Sequence, residues 1–122
     1  MAISTITLST RFGTTFAKET SASATKSVIT TSSTTLYGIE FDNTNNSAYS
    51  YIKLYDNVIG SVTVGTSSPD MVAAAAASTK VTYLFDQGVS FGTGLVLACV
   101  TGAGTAGTSS PASAVIIKLV YD

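Results

Sequence analysis

The sequence predicts an all-β fold: a two-sheet antiparallel β-sandwich, jelly-roll-like, with about eight strands. Three observations carry this. First, only 11 % of the 122 residues are charged, against about 25 % in an ordinary soluble domain. Ser and Thr supply roughly three residues in ten, and the apolar fraction is 45 %. Such a chain, with ten glycines, suits strands and turns better than surface helices. Second, several stretches alternate apolar and polar residues with a period of two. Third, turn residues separate these stretches, with no alternation of strand and long helix.

The first third is the weakest part of the pattern. Residues 2–10 alternate loosely, as a strand or an extended arm. Arg11 to Thr35 is mostly Ser, Thr and Ala, with Phe12, Phe16, Val28 and Ile29 as its few anchors. This stretch carries +2 (Arg11, Lys18 and Lys26 against Glu19), while the rest of the chain carries −3. So few large side chains bury little surface. Residues 1–35 therefore read as a Ser/Thr-rich N-terminal arm or peripheral strand, and residues 36–122 as the sandwich core.

From Leu36 the pattern sharpens. "LYGIEFDN" sets Tyr37, Ile39 and Phe41 against Glu40 and Asp42, as in a half-buried strand. "NTNNS" is a turn, since Asn tolerates left-handed backbone. "AYSYIKLYD" sets Ile52 and Leu54 against Tyr49, Tyr51, Lys53 and Tyr55. These two stretches read as a hairpin with a loop of about five residues. Gly60, Gly65 and Pro69 punctuate the next stretch, leaving room for a short strand at Ser61–Val64. The five alanines Ala73–Ala77 favour a helix on propensity alone. A helix there would hold about two turns, below the ~12–15 residues of marginal stability. A strand from Asp70 to Ala77, hairpinned into Lys80–Phe85, is the preferred reading, with a short helix as its rival. "TKVTYLFD" aligns Val81, Tyr83 and Phe85, and "GLVLACV" is apolar on both faces, as in a central strand covered on both sides. After the loop "TGAGTAGTSSP", "ASAVIIKLVYD" sets Val115, Ile117, Leu119 and Tyr121 against Ile116, Lys118 and Val120.

Composition also bounds the chemistry. There is no histidine, which removes the commonest general base and metal ligand. Glu40 and Asp42 resemble a carboxylate pair of the glycosidase kind, but a solvated strand face explains them. "DNTNN" has oxygens for Ca²⁺ without any EF-hand spacing. "GVSFGTG" and "GAGTAG" lack the Gly-Lys-Ser/Thr of a phosphate loop and read as turns or bulges. Cys99, within "LVLACV", reads as a buried inert thiol. The expectation is a protein that is not an enzyme, with no catalytic residue, no cofactor and no metal. Net charge −1 with scattered Lys and Arg argues against nucleic acid as a partner. No apolar run approaches the ~20 residues that span a bilayer, so no membrane partner is expected. "MAISTITLSTRF" does not read as a signal peptide. The tyrosine row Tyr49, Tyr51 and Tyr55 is either a wall of the core, a wall between subunits, or a platform for sugar rings. With Phe12 and Phe16 it forms the candidate self-association or partner interface.

Lys53-Leu54-Tyr55-Asp56, Gly65-Thr66-Ser67-Ser68-Pro69, Phe85-Asp86-Gln87-Gly88-Val89-Ser90-Phe91 and Thr93-Gly94-Leu95 together resemble small structural proteins of tailed-bacteriophage virions, of the head decoration or cement type. The resemblance covers roughly residues 36–122. Ala73–Ala77 stands where those proteins often carry a Pro- and Gly-bearing strand, and the N-terminal third has no counterpart among them. The resemblance implies a β-sandwich that binds the major capsid protein and copies of itself, with a trimer favoured. It also implies a site on the virion, at the capsid surface, after synthesis in the host cytoplasm. The alternative is a tail, neck or fibre accessory protein with a glycan-binding or adaptor role.

Overall fold

The computed structural model describes residues 15–122. They form β1 (Thr15–Ala22), β2 (Ser27–Thr30), β3 (Thr34–Asp42), β4 (Ser50–Tyr55), β5 (Met71–Ala75), β6 (Lys80–Phe91), β7 (Leu95–Val100) and β8 (Val115–Tyr121), with one 3-10 turn at Ile59–Ser61. Two four-stranded sheets result: sheet A in the order β1-β8-β3-β6, and sheet B in the order β2-β7-β4-β5. All pairings are antiparallel. The protein is an all-β, two-sheet sandwich.

The pairs β1·β8, β2·β7, β3·β6 and β4·β5 are nested. Strands of the first half thus pair with strands of the second half in reverse order. The pairs β3·β8 and β4·β7 complete the two sheets. Leu36, Ile39, Phe41, Ile117 and Leu119 of sheet A pack between the layers against Ile52, Leu54, Leu97 and Cys99 of sheet B. Every residue of β7 is buried, as a strand apolar on both faces requires. Burial pushes the Cys99 thiol up to about 12, so it stays protonated.

The first three alanines, Ala73–Ala75, lie in strand β5, which is shorter than the expected Asp70–Ala77; Ala76 and Ala77 lie beyond it, leading into the turn. Ala73 and Ala75 point into the core. Their small side chains leave room for Tyr83 of the opposite sheet, whose hydroxyl donates to the Ala74 carbonyl at 2.5 Å. Ser78 turns the chain with φ 57°.

Two expected hairpins are not formed. β3 and β4 lie in different sheets, as do β5 and β6. The side chain of Asn43 bonds to both crossing segments. It donates to the carbonyls of Ala48, Ala75 and Ala76 and accepts from Asn46 and Ser50. That ties the two crossing turns together at the end of the sandwich. Asn46 extends the network by donating to the Ser113 carbonyl and accepting from the Ser113 N–H. Residues 61–64 form no strand; the 3-10 turn Ile59–Ser61 and the turn after it stand there instead. Tyr37 also departs from the expected face. A bulge between Leu36 and Gly38 opposes one β3 residue to several of β6, so Leu36 joins Ile39 and Phe41 inside. Gly88, at φ 75°, makes the bulge possible, and a side chain there would collide with Thr35 and Tyr37.

The outer face of sheet B is covered by the chain's own loops. Tyr55, Val62, Val96 and Ala98 form a second apolar cluster there with Ile59 and Val64. Lys53, fully buried, reaches under the 101–111 loop and donates to the carbonyls of Gly104 (2.7 Å), Thr105 (3.2 Å) and Gly107 (2.8 Å). Burial pushes its pKa below the usual lysine value. Asp56 accepts from the backbone N–H groups of Gly92 and Thr93 at 2.9 and 2.8 Å. Those bonds hold its carboxyl below the usual range and fasten the β6–β7 turn to the end of β4.

Among the described residues, Tyr55 Oη is the one buried side-chain polar atom without a hydrogen-bond partner. Burying a hydroxyl without a partner opposes folding. Tyr55→Phe is therefore expected to stabilise the protein by about 1 kcal/mol, read as a higher urea midpoint with an unchanged slope.

Candidate self-association surface

Among the described residues, no loop covers the outer face of sheet A in this way. Its residues follow from register. Phe16 lies opposite Val120, Val120 opposite Gly38, and Gly38 opposite Leu84. These four residues form one rung across all four strands and line a shared recess with Glu40, Thr82 and Lys118. Leu84 is 77 % exposed and Phe16 is 59 % exposed. Gly38 makes the centre of the rung low, and Leu84 leans over it: a Cβ on Gly38 would meet Leu84 Cδ2 at 3.5 Å. The next rung reads Lys18, Lys118, Glu40, Thr82. The Lys118 ammonium lies 3.4 Å from a Glu40 carboxylate oxygen. Exposed apolar side chains grouped in this way mark contact surfaces more than scattered ones do.

The expected interface residues part company in the structure. Phe16 belongs to the sheet A rung. Tyr55 lies in the buried cluster over sheet B, so it is neither exposed nor in a row with the other tyrosines. Tyr49 and Tyr51 stack on each other with ring centroids 6.0 Å apart. Tyr49 is 54 % exposed, beside a recess lined by Asn46, Ser47, Ser50, Thr101 and Ser110. The expected apolar row is thus one pair. Lys53 shares a strand face with Tyr51 and Tyr55 but is bound to the loop. Phe12 lies outside the described residues. Leu84 and Val120 were not singled out from sequence. The signal was present: the alternation that turns Val81 and Tyr83 inward leaves Leu84 outward.

The other chemical readings meet ordinary structural roles. Glu40 is paired with Lys118. Asp42 accepts from the Thr44 hydroxyl (2.6 Å) and N–H (3.1 Å), which together with Lys80 and Lys118 hold its carboxyl below the usual range. The Asn43 side-chain oxygen accepts from Ser50 and Asn46. Among the described residues, no group of three His, Cys, Asp or Glu side chains is placed to hold a metal ion. The surface that remains is a weakly charged sheet with an apolar rung, suited to contact with another protein surface. No family model matches the chain, and no curated protein matches it.

Proposed function

We propose that this protein is a non-enzymatic structural component of a tailed-bacteriophage virion: a capsid decoration, or cement, protein that bridges major capsid subunits. The observation that carries the reading is the asymmetry of the sandwich. Among the described residues, one outer face is covered by the protein's own loops, and the other leaves Phe16, Val120 and Leu84 for a partner. The resemblance over residues 36–122 adds the class of partner. The nested strand pairing supports the jelly-roll reading of the fold. The mechanism is mechanical: each copy adds contact area across subunit boundaries, and many weak contacts act together through multivalency. The low-charge, Thr-rich surface tolerates close packing, because it has little long-range repulsion.

The test compares particles with and without the protein. Decorated particles are expected to release their DNA at a higher temperature and to survive osmotic shock better. Equal resistance rejects the cement reading.

A second reading rests on the stacked Tyr49 and Tyr51. An exposed ring beside a recess lined by the hydroxyl residues Ser47, Thr101 and Ser110 and by the apolar Ala48, Pro111 and Ala112 suits a sugar ring. It corresponds to a tail or fibre accessory protein that binds glycans. A broad glycan array tests it, with Tyr49→Ala as control; no binding rejects it.

A further inference from the structure

We infer that the outer face of sheet A is an isologous interface, on which a second copy of this chain docks about a two-fold axis parallel to the strands. The inference goes beyond the proposed function and takes up the self-association expected from the sequence.

Register makes the argument. Such an axis, placed between β8 and β3, lays the sheet on its own copy with the strand order reversed. The rung Phe16, Val120, Gly38, Leu84 then meets Leu84, Gly38, Val120, Phe16. At both ends the two most exposed of these apolar side chains, Phe16 and Leu84, cover each other. At the centre, the half-buried Val120 of one copy lies over Gly38 of the other, which is buried beneath its own Leu84, so Val120 meets the side of that leucine. The second rung, Lys18, Lys118, Glu40, Thr82, meets Thr82, Glu40, Lys118, Lys18. Lys118 of each copy then lies over Glu40 of the other, and no like charges are opposed in that rung. A face that matches itself residue for residue under a two-fold operation is what an isologous dimer requires. Facing sheets pack within about 30° of parallel, which keeps both rungs in reach.

The area bounds the strength. Four strands about 4.8 Å apart make a face under ~20 Å wide, at the small end of specific interfaces. The contact is therefore weak in dilute solution and strengthens where copies are held side by side on a lattice.

Sedimentation of the intact chain across a wide concentration range tests this. The wild type is expected to shift from monomer to dimer mass as concentration rises. Leu84→Glu places a charge on an exposed position without touching the core. It should weaken association at least about tenfold with unchanged melting. Glu40→Lys alone should weaken it similarly, and the double variant E40K/K118E should restore it, because reversing both charges recreates every pairing. A strict monomer overturns the inference. So does a trimer or dimer indifferent to these substitutions, and so does a charge reversal that the double variant fails to rescue. Binding to particles, measured separately, keeps the two proposals apart. Loss of particle binding by Leu84→Glu with no effect on mass assigns the face to a capsid partner and overturns the two-fold. Intact dimerisation with no effect on particle stability rejects the cement reading alone.

Discussion

Replacing Asn43 with alanine is expected to lower stability by about 4 kcal/mol and the melting temperature by about 15 °C. No other single side chain described above joins so many elements. Its amide nitrogen serves the Ala48, Ala75 and Ala76 carbonyls at 3.0, 3.2 and 3.0 Å. Its oxygen takes the Ser50 hydroxyl at 2.8 Å and the Asn46 amide at 3.0 Å. The site is fully buried. The alanine variant therefore leaves Ser50 and the Ala75 carbonyl in a dry interior, each at the desolvation penalty of an unmet polar group. Asn43→Asp separates this account from simple loss of volume. The carboxylate is nearly isosteric but has no donor, and it would face three carbonyl oxygens. It should cost at least as much as alanine at pH 7. Its folded-state pKa would be raised, so part of the stability should return as the pH falls toward the ordinary carboxylate value of about 3.9. Chemical denaturation at pH 7 and pH 4 reads both effects. If Asn43→Ala costs under about 1 kcal/mol, the crossing turns do not depend on this amide.

The second large effect is expected at Lys53. Its buried ammonium is compensated by three backbone carbonyls. Lys53→Met keeps the apolar stem and removes the donors. Two terms then oppose each other. A buried charge no longer has to be desolvated, which favours the variant. Three carbonyls lose charge-assisted bonds of about 1.5–3 kcal/mol each, which is the larger sum. The loss is capped, however, because the 101–111 loop can lift and solvate its carbonyls without unfolding the sandwich. The expected outcome is a modest global loss of about 2 kcal/mol and a large local one. Amide exchange and protease cleavage within residues 101–111 should accelerate at least about tenfold while β7 stays protected. Uniform acceleration across the sandwich would show that the loop and core open as one unit.

Much of the architecture was legible because period-two alternation and burial are the same fact seen twice. Ile39 and Phe41, Ile52 and Leu54, and Ile117 and Leu119 all face the core as their spacing requires. "LVLACV" reads as covered on both faces, and the loops over sheet B make it so. What local spacing cannot report is which strand lies beside which. β3 and β4 have the short connection of a hairpin, yet they lie in different sheets, because each finds its strand partners far along the chain: β6 and β8 for β3, β5 and β7 for β4. The strands Thr15–Ala22 and Ser27–Thr30 were hidden for a related reason. As edge strands rich in Ser, Thr and Lys they bury little, so the apolar signal that marks a strand is faint. The motif Lys53-Leu54-Tyr55-Asp56 was legible as a motif but not as four separate tasks. Lys53 holds a loop, Leu54 fills the main core, Tyr55 the second cluster, and Asp56 fastens a turn. The candidate surface was half legible. Phe16 was in view, whereas Leu84 and Val120 matter only once four strands place them in one row.

The nested winding also dictates when the molecule can become whole. β1 is made before any other described strand, yet it pairs only with β8, and β8 is the last of them. A growing chain can join β4 to β5 while the ribosome is still at work, but Phe16 gains its neighbour Val120 only after residues 115–121 have emerged. Sheet A, and with it the apolar row, is therefore completed only once residues 115–121 have been made, which keeps shorter nascent chains from presenting that surface to one another.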